Sequence, residues 1–165
     1  MALKNSKYLR NFVFGVEDSL VSTVGLLSGV AVADTETKTI ILAGVVLIFV
    51  EAFSMGVGSL LSDNVEVEFQ NKKDISLAKS GKGGLIMFVS YFISGFIPLV
   101  PYLIFETREA FWVSIILSLI ALFFLGTLSA TISKTNKLKQ GIEMCLIGGL
   151  AIGLGVSVGS LVNGL

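Results

Sequence analysis

Five hydrophobic segments, each close to the length of a membrane-spanning helix, limit what this chain can fold into. They cover approximately 11–33, 39–62, 84–105, 110–132 and 141–163. A helix needs about 20 apolar residues to cross a hydrocarbon core roughly 30 Å thick, and an open sheet cannot satisfy its backbone hydrogen bonds in lipid. The chain has only 15% charged residues, whereas a soluble domain has about 25%. We therefore predict an all-α integral membrane protein, with residues 1–165 forming a single domain of five transmembrane helices.

The basic residues predict the orientation of this bundle. Ten of the 12 Lys and Arg residues lie before the first segment, between the second and third, or between the fourth and fifth. Only Lys38 and Arg108 lie in the other connections. The excess of positive charge in cytoplasmic loops then predicts a cytoplasmic N-terminus and a C-terminus on the far side. The simplest membrane for a chain without a targeting segment is a prokaryotic plasma membrane.

The connection at 63–83 is the largest cytoplasmic stretch that this topology predicts. It carries both acidic and basic residues, including Glu66 and Glu68. Such mixed charge is typical of a solvated face, so we interpret 63–83 as a cytoplasmic loop. Its first residues, up to Glu68, are also compatible with an extension of the second helix into water.

Several functional classes are excluded or made improbable by composition. The chain has no histidine and a single cysteine, Cys145, so the commonest metal ligand and general base is missing. The Gly-Lys run at 80–84 does not fit a phosphate-binding loop, and no basic patch interleaved with aromatics indicates nucleic-acid binding. We therefore predict neither an enzyme nor a resident cofactor.

Three acidic residues, Glu17, Asp18 and Glu51, lie inside hydrophobic segments that contain no Lys or Arg. A carboxylate in the hydrocarbon costs roughly 2.5–3.5 kcal/mol and usually faces a pathway or a partner. The missing positive charge is then either a proton or a transported cation. This pattern indicates a cation transporter more than any enzyme.

Helix geometry suggests how these acids are arranged. Asp18 and Met55 lie about 10 Å deep and Glu51 about 16 Å deep, measured from the cytoplasmic ends of their segments. If the first two helices pair as a hairpin, Asp18 and Ser22 lie level with Met55 and Glu51. Carboxylates with one thioether suit Fe(II) or Mn(II) better than Zn or Cu. Plainer alternatives remain open: Glu17 facing headgroups or a basic residue, Met55 filling the core, and a protonated Glu51.

The fifth segment is rich in glycine. Gly149 with Gly153, and Gly155 with Gly159, have the small-xxx-small spacing that allows helices to approach closely. The pattern predicts tight helix packing and is only weak evidence for dimerisation.

Four stretches of the chain resemble the vacuolar iron transporter (VIT) family. Phe14–Thr23 (FGVEDSLVST) resembles its GxxDGLVST signature, and Glu51–Gly58 (EAFSMGVG) resembles its SMxxG helix. Pro98–Tyr102 (PLVPY) is similar to the family's IPLLPY run, and Gly126–Gly148 resembles its last two helices. Their order and spacing agree over nearly the whole chain.

The resemblance implies a homodimer whose ion pathway lies at the two-fold interface and is lined by the first two helices. It implies that Fe(II), and often Mn(II), moves out of the cytoplasm in exchange for protons. The family's pathway acids and methionine correspond to Asp18, Glu51 and Met55. Glu17, Ser22, Ser59, Glu66 and Glu68 are further candidates for the pathway or its entrance.

Three departures from the family pattern stand out. Ser19 replaces the usual Gly after the Asp, and Ser59 stands where many members have Glu. Only about 20 residues connect helices 2 and 3, too few for the three-helix metal-binding domain of larger members. Glu66 and Glu68 are then a candidate remnant of that domain. Two alternatives to an exchanger stay open: a channel, and a non-transporting assembly or metal-sensing module.

Overall fold

The computed structural model describes residues 2–72 and 81–164, and every regular element within them is an α-helix. The helices are α1 (Ala2–Val32), α2 (Thr37–Asn71), α3 (Gly81–Ile104), α4 (Thr107–Ser133) and α5 (Lys137–Asn163). Each of the 5 is long and apolar enough to cross a membrane. The predicted all-α class with five spanning helices is confirmed, and the orientation stays a prediction.

Contacts between the helices show that neighbours in sequence run in opposite directions. The Ser19 hydroxyl of α1 donates to the Tyr91 carbonyl of α3 at 2.7 Å, and Gly29 of α1 lies against Gly155 and Gly159 of α5. Helices α1, α3 and α5 therefore run parallel, and α2 and α4 return between them. We call the end at which α1 begins the lysine-rich side, because most of the basic residues lie there.

Burial distinguishes central helices from peripheral ones. Half of the membrane-crossing stretch of both α1 and α3 is buried, against 11% for α5, so α1 and α3 form the centre of the bundle. A hydrophobic core cluster that includes Leu27, Ile48, Leu99 and Tyr102 joins α1, α2 and α3, and Ala110 of α4 packs into it. Polar side chains such as Ser19 and Ser94, which lie in this centre, are therefore buried.

Helix α2 corrects the interpretation of 63–83 as a loop, because it continues to Asn71 instead of ending near 62. Asp63, at the start of this extension, forms a salt bridge of 2.9 Å with Lys7 of α1. The Asn64 amide donates to the Glu68 carboxylate one turn later at 2.8 Å. These contacts explain why the charged stretch is helical, and residues 73–80 of the predicted loop lie outside the described part of the chain.

The other helix ends also differ from the predicted ones by a few residues. Helix α1 begins at Ala2 and not near 11, because its basic first turns continue the helix beyond the apolar segment. The connections on the opposite side are short. Asp34 takes a left-handed conformation after α1, and the Thr37 and Thr107 hydroxyls form a 2.7 Å hydrogen bond between the starts of α2 and α4.

Candidate functional site

Two polar contacts set the register between α1 and α2. Lys7 contacts Asp63 at 2.9 Å, and the Asn11 amide donates to the Ser59 hydroxyl at 2.9 Å. One turn forward along α1 is thus matched by one turn back along α2. Ser59, predicted as a pathway residue, is used here to pair the two helices.

This register brings the two predicted pathway acids together. Asp18 and Glu51 are both half-buried, and they lie close enough for their charges to interact. Glu51 is therefore level with Asp18. The sequence predicted Met55 at this level, so the observed register differs from the predicted one by about one helical turn. The depths predicted for Glu51 and Met55 were measured from residue 62, the end of the apolar segment. Because α2 continues beyond that residue, these depths do not give the register between the two helices. Met55 lies one turn nearer the lysine-rich side.

Tyr91 of α3 is a member of this site that sequence reasoning missed. The residue is 1% exposed, its hydroxyl lies 2.7 Å from the Ser22 hydroxyl, and it is close enough to Asp18 and Glu51 to feel their charges. An aromatic residue in an apolar helix carries little signal by itself. The one available clue was its depth, since Tyr in membrane helices is enriched near the interfaces and not at mid-span.

Ser19, the departure from the family pattern beside Asp18, has a structural role in this chain. It is fully buried, and its hydroxyl donates to the Tyr91 carbonyl at 2.7 Å. This hydrogen bond joins α1 to α3 one residue away from Asp18. The backbone of Tyr91 is thereby fixed relative to the acid.

Two clefts lie on opposite sides of the acid pair along the membrane span, and each reaches a residue one helical turn from it. The first, of about 590 Å³, opens between α1, α2 and α3 toward the lysine-rich side and reaches Met55 and Met87. Six of the ten residues that line it carry polar or charged side chains, and we therefore call it the polar cleft: Arg10, Asn11, Ser54, Ser59, Ser62 and Asp63.

The second cleft, of about 610 Å³, lies in the opposite half between α1, α2 and α5. It reaches Ser22 and Leu47 and is otherwise lined mainly by glycine and aliphatic side chains. Because Leu47, Glu51 and Met55 are spaced by one turn along one face of α2, Glu51 lies between the ends of the two clefts. The acid pair thus lies between the polar cleft and the second, apolar cleft.

The remaining acidic candidates lie in other surroundings, although the charge of Glu17 also interacts with that of its neighbour Asp18. Glu17 lines a separate cavity of about 360 Å³ between α1 and α4, together with Arg10. Glu66 is exposed, with a carboxylate oxygen 4.0 Å from the Lys7 ammonium, and Glu68 accepts the hydrogen bond from Asn64. Both lie on the extension of α2, at the lysine-rich end of the bundle.

The glycines of α5 divide between two faces. Gly155 and Gly159 pack directly on the backbone of Gly25 and Gly29 of α1, where no side chain fits, as the spacing predicted. Gly149 and Gly153 face open space, with no atom of the described residues within 4 Å of where a Cβ would be. These two glycines therefore pack against no helix of the described residues, and their packing role stays a prediction.

Within residues 2–72 and 81–164, no three Asp, Glu or Cys side chains lie close enough together to hold a metal ion. One chain brings together two carboxylates, a hydroxyl and, one turn away, a thioether. Such a set attracts a cation but leaves most of its coordination sphere to water or to further protein groups. This arrangement is suited to weak and reversible binding.

The fold and this site define an integral membrane protein with paired acids at mid-span. The chain belongs to the VIT family, whose model matches residues 9–79 and 64–160. The family predicted from the four sequence motifs is thus confirmed.

Individual relatives agree with this assignment. The chain is 25% identical to VIT-like transporter 1b of Glycine max, over 92% of this chain and 75% of the relative. It is 23% identical to vacuolar iron transporter homolog 2 of Arabidopsis thaliana, over 97% and 87%. An uncharacterised protein of Methanocaldococcus jannaschii is 28% identical, over 88% and 84%. Each match spans most of this chain and most of the relative, and the relatives come from plants and from an archaeon.

Proposed function

We propose that this protein transports a divalent transition metal, with Fe(II) as the main substrate and Mn(II) as a second one. The observation that carries the proposal is the pairing of Asp18 and Glu51 inside the span, in two segments that contain no Lys or Arg. Two acids whose charges interact within the membrane span need a cation or protons to balance them. The name of the Arabidopsis thaliana relative, vacuolar iron transporter homolog 2, supports the choice of iron.

The chemistry of the ligands supports the same choice. Asp18 and Glu51 offer hard oxygens, and Met55 offers a softer sulfur one turn nearer the polar cleft. Oxygen ligands alone suit Mg, Ca and Mn, and a thioether shifts the preference toward softer ions. Fe(II) and Mn(II) fit such a mixed set, and the absence of histidine from the sequence argues against a tight Zn or Cu site.

We propose that transport runs from the cytoplasm to the far side in exchange for protons. The polar cleft opens toward the lysine-rich side, which the distribution of basic residues predicts to be cytoplasmic. A carboxylate must lose its proton to bind a metal. Release of the ion into the apolar cleft would therefore be accompanied by protonation of the acids, which carries protons in the opposite direction.

We also propose that the site is completed by a second copy of the chain. One protomer supplies two carboxylates and one nearby thioether, and a two-fold axis beside α1 and α2 would double both. Four carboxylates around one axis would provide the coordination that a single bundle lacks.

Metal flux into proteoliposomes tests the proposed function. Purified protein should take up Fe(II) faster when a pH gradient is imposed, and protons should move in the opposite direction. Asp18→Asn and Glu51→Gln should each reduce uptake at least tenfold, whereas Glu143→Gln, which changes an exposed acid, should not. Wild-type uptake by both pathway variants would remove the roles assigned to these acids, and uptake that ignores the pH gradient with a measurable unitary conductance would indicate a channel.

A non-transporting membrane module is the second candidate function. The open glycine face of α5 at Gly149 and Gly153 favours it, since such a face suits close contact with another membrane helix. This candidate expects no flux from correctly folded protein. It also expects that Gly153→Leu abolishes assembly while Asp18→Asn has no effect.

A further inference from the structure

We infer that Ser22 supplies a neutral oxygen ligand to the transported ion, and that Tyr91 is the positioning residue that aims this oxygen. The inference rests on the proposed function, because it assigns a selectivity element to the same pathway. It concerns the step at which the ion leaves the acid pair for the apolar cleft. The metals that it favours are those that prefer oxygen ligands.

Ser22 has the right place for this role. It follows Asp18 by one helical turn and lies on the side away from Met55. It is half-buried and lines the apolar cleft. Apart from Thr35, the other residues lining that cleft carry no polar side chain. An ion that moves beyond the acids would therefore meet this hydroxyl first.

The hydrogen bonds of Ser22 leave it able to bind a cation. A serine hydroxyl has one proton and two lone pairs. Its oxygen lies 3.5 Å from the Ser19 carbonyl, which accepts the proton, and 2.7 Å from the Tyr91 hydroxyl. With the Tyr91 hydroxyl as donor, one lone pair is occupied and the other remains available for a cation.

Tyr91 is fixed at both ends, as a positioning residue must be. Its carbonyl accepts a hydrogen bond from Ser19, and its hydroxyl contacts Ser22. Tyr102, a buried tyrosine on the same helix, provides the contrast, because its hydroxyl has no hydrogen-bond partner among the described residues. A tyrosine can therefore be buried in α3 without a hydrogen bond to its hydroxyl, so the contact between Tyr91 and Ser22 is not a simple consequence of burial.

The order of ligands along the span then predicts selectivity. The ion meets the Met55 sulfur on one side of the acid pair and the Ser22 oxygen on the other. Sulfur favours softer ions, and uncharged oxygen favours Mn(II) and similar metals. Loss of the Ser22 oxygen should therefore impair Mn(II) more than Zn(II), while both acids and the sulfur are retained.

Competition transport of Mn(II) and Zn(II) against Fe(II) in proteoliposomes tests this inference. Ser22→Ala and Tyr91→Phe should each lower the preference for Mn(II) over Zn(II) about threefold to tenfold, the effect of losing one hydrogen-bonding oxygen. The double variant should fall no further than Ser22→Ala alone, since Tyr91 acts through Ser22. Tyr102→Phe, the matched control in α3, should leave the preference unchanged.

The possible outcomes are distinguishable from failure of the proposed function. Absence of wild-type flux would overturn both proposals together. Normal wild-type flux with an unchanged metal preference in Ser22→Ala would overturn the ligand role alone. A Tyr91→Phe variant that melts earlier and slows both metals equally would make Tyr91 a structural residue and overturn its positioning role.

Discussion

Asp63 is the most buried carboxylate of the described chain that has a basic partner, with a side chain 4% exposed and Lys7 at 2.9 Å. It also lies against Gly83, where an added Cβ would collide with the carboxylate. A single acid thus joins the starts of α1 and α3 to the extension of α2. Removal of one partner from a buried ion pair leaves the other charge without compensation, which costs far more than the pair contributes.

Replacement of Lys7 should therefore destabilise the bundle. We expect Lys7→Met to lower the free energy of unfolding by about 1–3 kcal/mol, measured by thermal unfolding in detergent. Lys139→Met is the matched control, because Lys139 forms an exposed pair with Glu143 one turn away, and such pairs contribute only about 0.3–0.5 kcal/mol. The double variant Lys7→Met with Asp63→Asn should recover part of the loss. Equal effects of the two lysine variants would show that the Lys7 pair behaves as a surface contact.

Sequence reasoning found the acids of the site together with Ser22 and Met55, but it missed Tyr91 and the hydrogen bond that Tyr91 forms with Ser22. Asp18 and Glu51 stand out because a charge in an apolar segment is costly wherever its helix faces. Tyr91 and Ser22 form their contact across two helices that are far apart in sequence, and neither residue is unusual in a membrane helix. Their pairing depends on the relative rotation of α1 and α3, which hydropathy does not specify.

At the scale of whole elements, the contact between α1 and α5 depends on glycine. Apolar side chains gain little from leaving lipid, so close backbone approach is a main source of helix association in membranes. The backbones of Gly155 and Gly159 in α5 are in direct contact with the backbones of Gly25 and Gly29 in α1. Helix α5 otherwise has few buried residues, so its attachment to the bundle relies on this face together with its contact with α4.

Gly→Ala substitutions on the two faces of α5 test whether the contact between α1 and α5 depends on glycine. Gly155→Ala would place a Cβ against the Gly25 carbonyl, and we expect a loss of about 1–3 kcal/mol of stability from overpacking. Gly153→Ala on the open face should be neutral or stabilising by up to about 1 kcal/mol, because Ala favours a helix over Gly. Thermal unfolding of both variants gives the comparison. If Gly153→Ala is the more damaging change, the outer face of α5 is an interface, as the non-transporting module requires.

Element ends show where hydropathy stops being informative. The apolar segments correctly predicted the number and order of the helices, because lipid demands about 20 apolar residues per span. They did not predict that α1 begins at Ala2 or that α2 ends at Asn71, since both ends leave the apolar stretch and are stabilised by polar contacts. The Lys7–Asp63 pair joins these two extensions, so neither end can be derived from its own sequence alone.

At the scale of the whole molecule, the two clefts lie on either side of the acid pair, and the proposed ion route would connect them through it. The polar cleft and the apolar cleft each end beside the pair, yet the described residues supply no third acid or cysteine there. The outward face of α2 next to this route carries exposed Val50, Ser54 and Gly58. A second copy that completes the site would have to cover this face.

Cross-linking tests whether a second copy of the chain covers this face of α2. We expect Ser54→Cys, made in a Cys145→Ser background, to give a covalent dimer with a short bis-maleimide reagent in native membranes. Ile120→Cys is the control, because it is similarly accessible at 47% exposure but lies on α4, away from the acid pair. Addition of Mn(II) should increase cross-linking at Ser54→Cys, since an ion shared between copies stabilises the form that binds it. If Ile120→Cys cross-links as readily as Ser54→Cys, or if Ser54→Cys stays monomeric while the protein transports metal, the route is not shared between copies and one chain must conduct the ion alone.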